Sequence, residues 1–474
     1  APHYFPPNCR LSIPMPQSGS ASRTPNTPID QTPVLPQVWA IAWPVVAASM
    51  LDAMEGLIDI SMVGQLGPEA ISAVGLSRQI LFLTMVMAMA ISTGSRTLVA
   101  QFYGAERHED LSYTAQQAIL MGALLAVVMA LLGGLIARPT LILLGAQPEV
   151  LGHAVPFLRI YFAGVIFMML NYLISAIFGG AGDTRTPLKI SCLIIILKLP
   201  LTYGLIFGAW GLPQMGVCGA AVGTLASRAV GCVVGFWLLT SGRSRVQMRW
   251  TWRLSFNRDI IGRMMRIGVP AGIQGFFRNG ARILFYRVAS WTSQPTTAVA
   301  ALTIGLQMRM IGIMPALAFG VAATALVGQR LGAKQIPQAE RFGASAIRLC
   351  MVFIVVCAII ICAFAREIVD LFTDSVAVID MGYVMLWFFT IAQVFSALSI
   401  VSAGVLAGGG ETKPPLYYTI LAQWVVMLPL SYVLSFLFGM DTLGIWIAWL
   451  IGGIIQGVLV WASYLKGRWK QTVI

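Results

Sequence analysis

The chain has 474 residues, 58% of them hydrophobic and 10% charged, with a mean hydropathy of +0.80. Soluble domains carry about 25% charged residues, so a water-soluble fold is excluded and an all-α integral membrane protein in the lipid bilayer is expected. The net charge of +13 lies mostly in loops on one side of the expected topology, a pattern that orients a membrane protein and implies no nucleic-acid partner.

In chain order, residues 1–36 hold nine prolines among Ser, Thr and Asn and read as a disordered tail. They lack the charged and apolar regions of a signal peptide. Twelve apolar segments follow, near 37–64, 69–102, 111–136, 151–180, 186–210, 215–241, 258–292, 297–331, 338–365, 375–408, 414–439 and 442–466. Each is long enough to cross a bilayer. The 242–257 linker carries Arg243, Arg245, Arg249 and Arg253, and the 467–474 tail adds Arg468 and Lys470. This asymmetry predicts a multi-pass protein of the plasma (inner) membrane with both termini cytoplasmic. Of the seven cysteines only Cys9 lies outside an apolar segment, no CxxC occurs, and His3, His108 and His153 lack ligand spacing. Neither a metal site nor a cofactor is expected.

The first span, from Trp43 to Gly64, carries Asp52, Glu55 and Asp59. Their spacing puts the three carboxylates within about 60° of arc on one helical face. Each costs about 2.5–3.5 kcal/mol in hydrocarbon on insertion scales, so the stripe must look into protein or a wet cavity. It reads as a protonatable or cation-binding pathway. Lys198 sits near the middle of span five, and its best partners are these acids. Arg228 and Arg287 could equally snorkel to the interface.

The second half repeats the first. VAQFYGA at 99–105 returns as VGQRLGA at 327–333, and GGAGDTRTP at 179–187 as AGGGETKPP at 407–415, both displaced by 228. Pro44 and Pro270 stand 226 apart, and Pro200 and Pro429 stand 229 apart. Six spans separate the copies, so both halves enter the membrane in the same sense. The expected product is two pseudo-symmetric six-helix bundles, 37–241 and 258–466, around a central cleft.

These paired motifs, with the AWPVV and GVPAG span openings, resemble the multidrug and toxic-compound extrusion (MATE) family over about residues 37–465. Arg287, Arg309 and MPALAFGVAATALVGQ look closest to its bacterial DinF-like branch. The resemblance implies a cation-coupled antiporter that exports amphipathic small molecules by alternating access, acting as a monomer and not as an enzyme. It implies Asp59 as the acidic coupling residue of span one. Lys198 and Thr202 stand where many members carry Asn and Asp or Asn, and Thr224 matches a span-six Thr or Ser. Arg278 replaces a Glu found in others. An ammonium beside the acids disfavours Na+, so H+ is the expected coupling ion.

At the repeat offsets Asp52 maps onto Arg278 and Asp59 onto Arg287, so the second bundle is basic where the first is acidic. Those arginines either hold the span-one acids across the cleft or meet an anionic part of the substrate. The expected cleft residues are Asn171, Gln274, Arg278, Asn279, Arg282, Met308 and Arg309. Met85, Met87, Met89, Phe167, Phe276 and Phe277, with Met308, Met310 and Met314, offer flexible and flat faces that suit loose recognition of amphiphiles. Rival readings are a flippase for lipid-linked saccharides and an exporter of organic anions; no nucleophile or metal constellation supports an enzyme.

Overall fold

A computed structural model describes residues 34–471, apart from 144–146, 245, 250–255 and 374. Of the expected disordered tail, residues 1–33 lie outside the described residues, as do Arg245, Arg253 and the last three residues. Residues 34–36 already belong to the first helix, because nothing separates them from the apolar run that follows.

The helices are α1 (Val34–Gly64), α2 (Pro68–Gly104), α3 (His108–Leu143), α4 (Pro148–Ala163), α5 (Val165–Gly180), α6 (Arg185–Phe207) and α7 (Val217–Thr240) in the first half. The second half holds α8 (Arg258–Ala289), α9 (Pro295–Gly332), α10 (Ile336–Ala363), α11 (Ala365–Asp370), α12 (Val376–Gly408), α13 (Lys413–Leu437) and α14 (Asp441–Leu465). No strand occurs among the described residues, as a chain in lipid requires when it satisfies its backbone within helices.

Among the described residues ten helices are long and apolar enough to cross a membrane, and α4 with α5 makes an eleventh span bent by 50°. The bend falls at Gly164, where a Cβ would come 2.5 Å from Leu225. The twelfth span is α8, 32 residues long and less apolar because it carries Arg263, Arg266, Arg278, Arg282 and Arg287. In α13, Leu421–Met427 and Val433–Leu437 are π-helical. Between them stands Pro429, which lacks the N–H an α-helix needs there.

The repeat is visible in individual contacts. Thr184 Oγ1 donates to Ile41 O at 2.9 Å, and its counterpart Thr412 Oγ1 donates to Ile267 O at 2.6 Å. Glu106 and Lys334, 228 apart, both adopt positive φ, at 57° and 58°. Across the halves, Gln101 Nε2 donates to Gly408 O and Gln329 Nε2 to Gly180 O, both at 2.8 Å. A Cβ on Gly104 would lie 1.8 Å from Gln329 O, and one on Gly332 1.9 Å from Gln101 O. The two copies of the motif therefore meet each other, and glycine is required where their backbones cross.

These bonds lie toward the end where α7 stops at Thr240, α8 starts at Arg258 and α5 passes into α6, here the basic end. Further contacts between the halves, from Gly94 to Met264 and from Gly268 to Ala90, also lie on that side. Helix α1 belongs to both halves. Its Val38 and Ala42 pack with Phe319, Leu326 and Phe342 of the second half, whereas its Val63 packs with Ala70, Leu158 and Ile206 of the first.

A Cβ on Gly328 would lie 2.8 Å from the Cβ of Ala100, closer than the ~3.5–4.5 Å a disulfide spans, so a small separation of the helices would bring a cysteine pair there to bonding distance. In a background without native cysteines, Ala100→Cys with Gly328→Cys should cross-link on mild oxidation. After proteolysis at a site inserted in the 242–257 linker, the two fragments should migrate together until reduced. Separate fragments before reduction would contradict the contact.

Candidate functional site

The acidic stripe on α1 is met by cations from three other helices. Lys198 Nζ on α6 lies 2.6 Å from Glu55 Oε1 and 2.8 Å from Asp59 Oδ2. From α7, Arg228 reaches both oxygens of Glu55 at 3.2 Å. From α2, Arg78 donates to Gly56 O at 3.1 Å and stands 3.9 Å from Asp59 Oδ2. Two of the three acids, Glu55 and Asp59, are thus engaged by three bases. Only 3% of Lys198 is exposed, so its ammonium exchanges water for two carboxylates and is tolerable on those terms alone.

Asp52 is exposed and makes no ion pair among the described residues. Asp59 Oδ1 and Thr202 Oγ1 are both buried without a hydrogen-bond partner. Both residues line one small cavity with Lys198 and Ile195, about 10 Å³ in size, the scale of a single water. Thr224 is buried, but its hydroxyl donates to Ala220 O within its own helix, and the structure does not bring it to the carboxylates.

A second cavity, of about 230 Å³, lies in the other half. Arg278, Asn279, Arg282 and Arg309 line it, together with Met310, Ser396, Gln423, Trp449 and Gln456. Met85 and Met89 of α2 close it from the first half. Arg309 Nε donates to Gln393 Oε1 at 3.2 Å, and its guanidinium lies 5.1 Å from the Trp449 ring centre. Arg282 donates to Asn279 Oδ1 at 2.6 Å.

Three expected cleft residues are elsewhere. Asn171 donates to Phe167 O at 2.7 Å and to Arg228 O at 2.8 Å, so it ties α5 to α7. Gln274 donates to Thr419 Oγ1 at 2.9 Å and joins α8 to α13. Met308 lines a separate groove with Ile354 and Cys357 on the α10 side. Each is consumed by helix packing, which competes for side chains on the same helical faces. None of Arg278, Arg282, Arg287 and Arg309 reaches a span-one acid among the described residues, since Lys198, Arg228 and Arg78 already hold Glu55 and Asp59. Arg287 lies over the Trp291 ring, 5.5 Å from its centre.

Arg78 escaped the sequence reading because it stands near the start of α2, where a snorkelling arginine is ordinary. Its only signal was its proximity in sequence to the Asp59 end of α1. Trp449, Gln423 and Gln456 were hidden in apolar runs. Among the described residues no cluster of three His, Cys, Asp or Glu could hold a metal ion.

The MatE family model matches residues 44–204 and 270–433. Similar proteins include the probable multidrug resistance protein NorM of Thermotoga maritima, 27% identical over 441 residues, covering 92% of this chain and 93% of that protein. The uncharacterized transporter YisQ of Bacillus subtilis is 24% identical over 438 residues, covering 92% and 95%. Among solved structures, an outward-facing multidrug resistance MATE family transporter of the MOP superfamily superposes with a TM-score of 0.85 at 22% identity, covering 93% of this chain and 96% of that one. A MOP superfamily transporter from Pyrococcus furiosus, described by the reverse polarity of its binding pocket, gives 0.85 at 22% identity, covering 92% and 96%. At that identity the likeness concerns the fold.

Removing Lys198 strands Asp59, whose other cation is 3.9 Å away. Losing one partner of a buried pair costs about 3–5 kcal/mol. Lys198→Met should therefore lower the thermal unfolding temperature in detergent, and adding Asp59→Asn should recover much of the loss. Additive losses in the double variant would deny the coupling.

Proposed function

Because the chain belongs to the MatE family, we propose that it is a proton-coupled antiporter that exports amphipathic compounds across the plasma membrane by alternating access. The 37–241 and 258–466 halves are its moving bodies, and both termini face the cytoplasm. The observation that carries this reading is Lys198 held between Glu55 and Asp59. A charge pair buried between two helices is a two-state element: intact, it fixes α1 on α6. Once separated, it leaves a carboxylate that a proton neutralises.

The halves are joined at the basic end, so this conformation corresponds to closure on the cytoplasmic side. Asp59, near the Gly64 end of α1, meets protons arriving from outside. Neutralising Asp59 releases Lys198 toward Glu55 alone and frees α1 to repack. Since Val38 and Ala42 of the same helix pack in the second half, that repacking reaches the contacts that keep the basic end shut. Sodium is disfavoured because it would have to sit beside an ammonium and two guanidiniums.

Asp59→Asn should fold and bind substrate at equilibrium, yet lose at least tenfold of the substrate uptake driven by a proton gradient in inverted vesicles. Asp59→Glu should retain part of it. Wild-type uptake by Asp59→Asn would remove Asp59 from the coupling step. Uptake driven by a sodium gradient alone would overturn the proton assignment.

A further inference from the structure

We infer that the cavity in the second half is a recognition site for the anionic headgroup of an amphipathic substrate, a carboxylate, sulfonate or phosphate gripped by Arg278, Arg282 and Arg309. The inference rests on the transport reading above and gives it a substrate class.

Charge is the first argument. The three arginines line one cavity, and no carboxylate lines it with them. The acids of the second half stand at helix ends and in connections, where several are engaged: Asp259 with Arg263, Asp380 with Arg366, and Asp441 with Ser293. None of the three arginines forms an ion pair among the described residues. With Arg278 and Arg309 half-buried and Arg282 exposed, guanidiniums grouped along one low-dielectric wall draw an anion, and the field there is focused.

Geometry is the second. Arg309 is fixed through Nε by Gln393 and by the face of Trp449, so its terminal nitrogens remain free for a ligand. Planar forks of this kind match the paired oxygens of carboxylates, sulfonates and phosphates. Met85, Met89, Met310 and Trp449 line the same space and offer polarizable surface to an apolar or aromatic tail.

The third argument is what the first half lacks. Glu55 and Asp59 are consumed by Lys198, Arg228 and Arg78, which leaves Asp52 as the one stripe acid without an ion pair among the described residues. An organic cation therefore finds little unspent negative charge, whereas an organic anion finds three cations.

The test is equilibrium binding to the full chain in nanodiscs without any ion gradient. The probes are 2-naphthalenesulfonate and a naphthyl-trimethylammonium cation, which share an aromatic body and differ in headgroup charge. The sulfonate should bind at least tenfold more tightly than the cation. Arg278→Gln and Arg309→Gln should each weaken it tenfold or more, and leave the cation unchanged. Should either variant fail to fold, Ser396→Asp places a carboxylate on the cavity wall and should reverse the preference between the probes. A fluorescent phosphatidylglycerol in proteoliposomes distinguishes the source. Arginine-dependent transfer between leaflets, without sulfonate binding, would assign the anion to a lipid headgroup. Tighter binding of the cation, or binding and lipid transfer both indifferent to the arginines and to Ser396→Asp, would overturn the site. Because no gradient is applied, a failure of proton coupling leaves this assay unchanged, and a failure here leaves the Asp59→Asn comparison intact.

Discussion

The bridge from Lys198 to Glu55 and Asp59 is the interaction on which the first half depends. Three carboxylates on one face of a spanning helix are incompatible with lipid, and water alone does not reach a lysine that is 3% exposed. The fold answers by bringing α2, α6 and α7 around α1, each contributing one cation. Packing around α1 follows from charge compensation as much as from apolar burial. That makes the ion pairs part of the packing, and under the proposed proton coupling the same contacts would be what a proton undoes.

Much of the fold was legible because membrane segments announce themselves by length and hydropathy, and because the chain states its plan twice. The motif pairs at an offset of 228 became symmetric hydrogen bonds, with Gln101 and Gln329 each reaching the other half. The site was less legible. Lys198 could be paired with the span-one acids from sequence, since a lysine deep in a span has few alternatives. Arg228 and Arg78 could not, because each stands about three turns from the nearest helix end, where a long side chain can still extend toward the interface, and the sequence does not say which way it turns. Asn171, Gln274 and Met308 failed for a different reason. Polarity or softness suggests a cavity, but interhelical hydrogen bonds and packing grooves recruit the same residue types.

The two halves share a backbone and differ in electrostatics. At equivalent places one carries Asp52 and the other Arg278, one Asp59 and the other Arg287. In the first half Glu55 and Asp59 found cations, and Asp52 alone of the stripe forms no ion pair among the described residues. In the second the acids of the spans, Asp259, Glu340, Asp380 and Asp441, stand near helix ends and none lines the cavity, so the arginines remain open toward it. Duplication supplied two copies of one backbone, and substitution at matched positions left paired charge beside α1 in one copy and unpaired arginines along a cavity in the other.

Helix α1 explains how those two roles can communicate. Its Val34 end packs with α9 and α10, and its charged stretch lies against α6. Any change in the Glu55–Asp59 stretch is therefore felt by a helix whose other end is lodged in the opposite half. Pro44 stands between the two regions and removes one helical hydrogen bond where bending would be needed. Helix α2 completes the circuit. Arg78 near its start touches Gly56 and Asp59, Met85 and Met89 wall the arginine cavity, and Gln101 near its end ties the halves together. One helix thus runs from the ion pairs past the cavity to the closed end, so rearrangement at the carboxylates cannot leave either of the other two sites untouched.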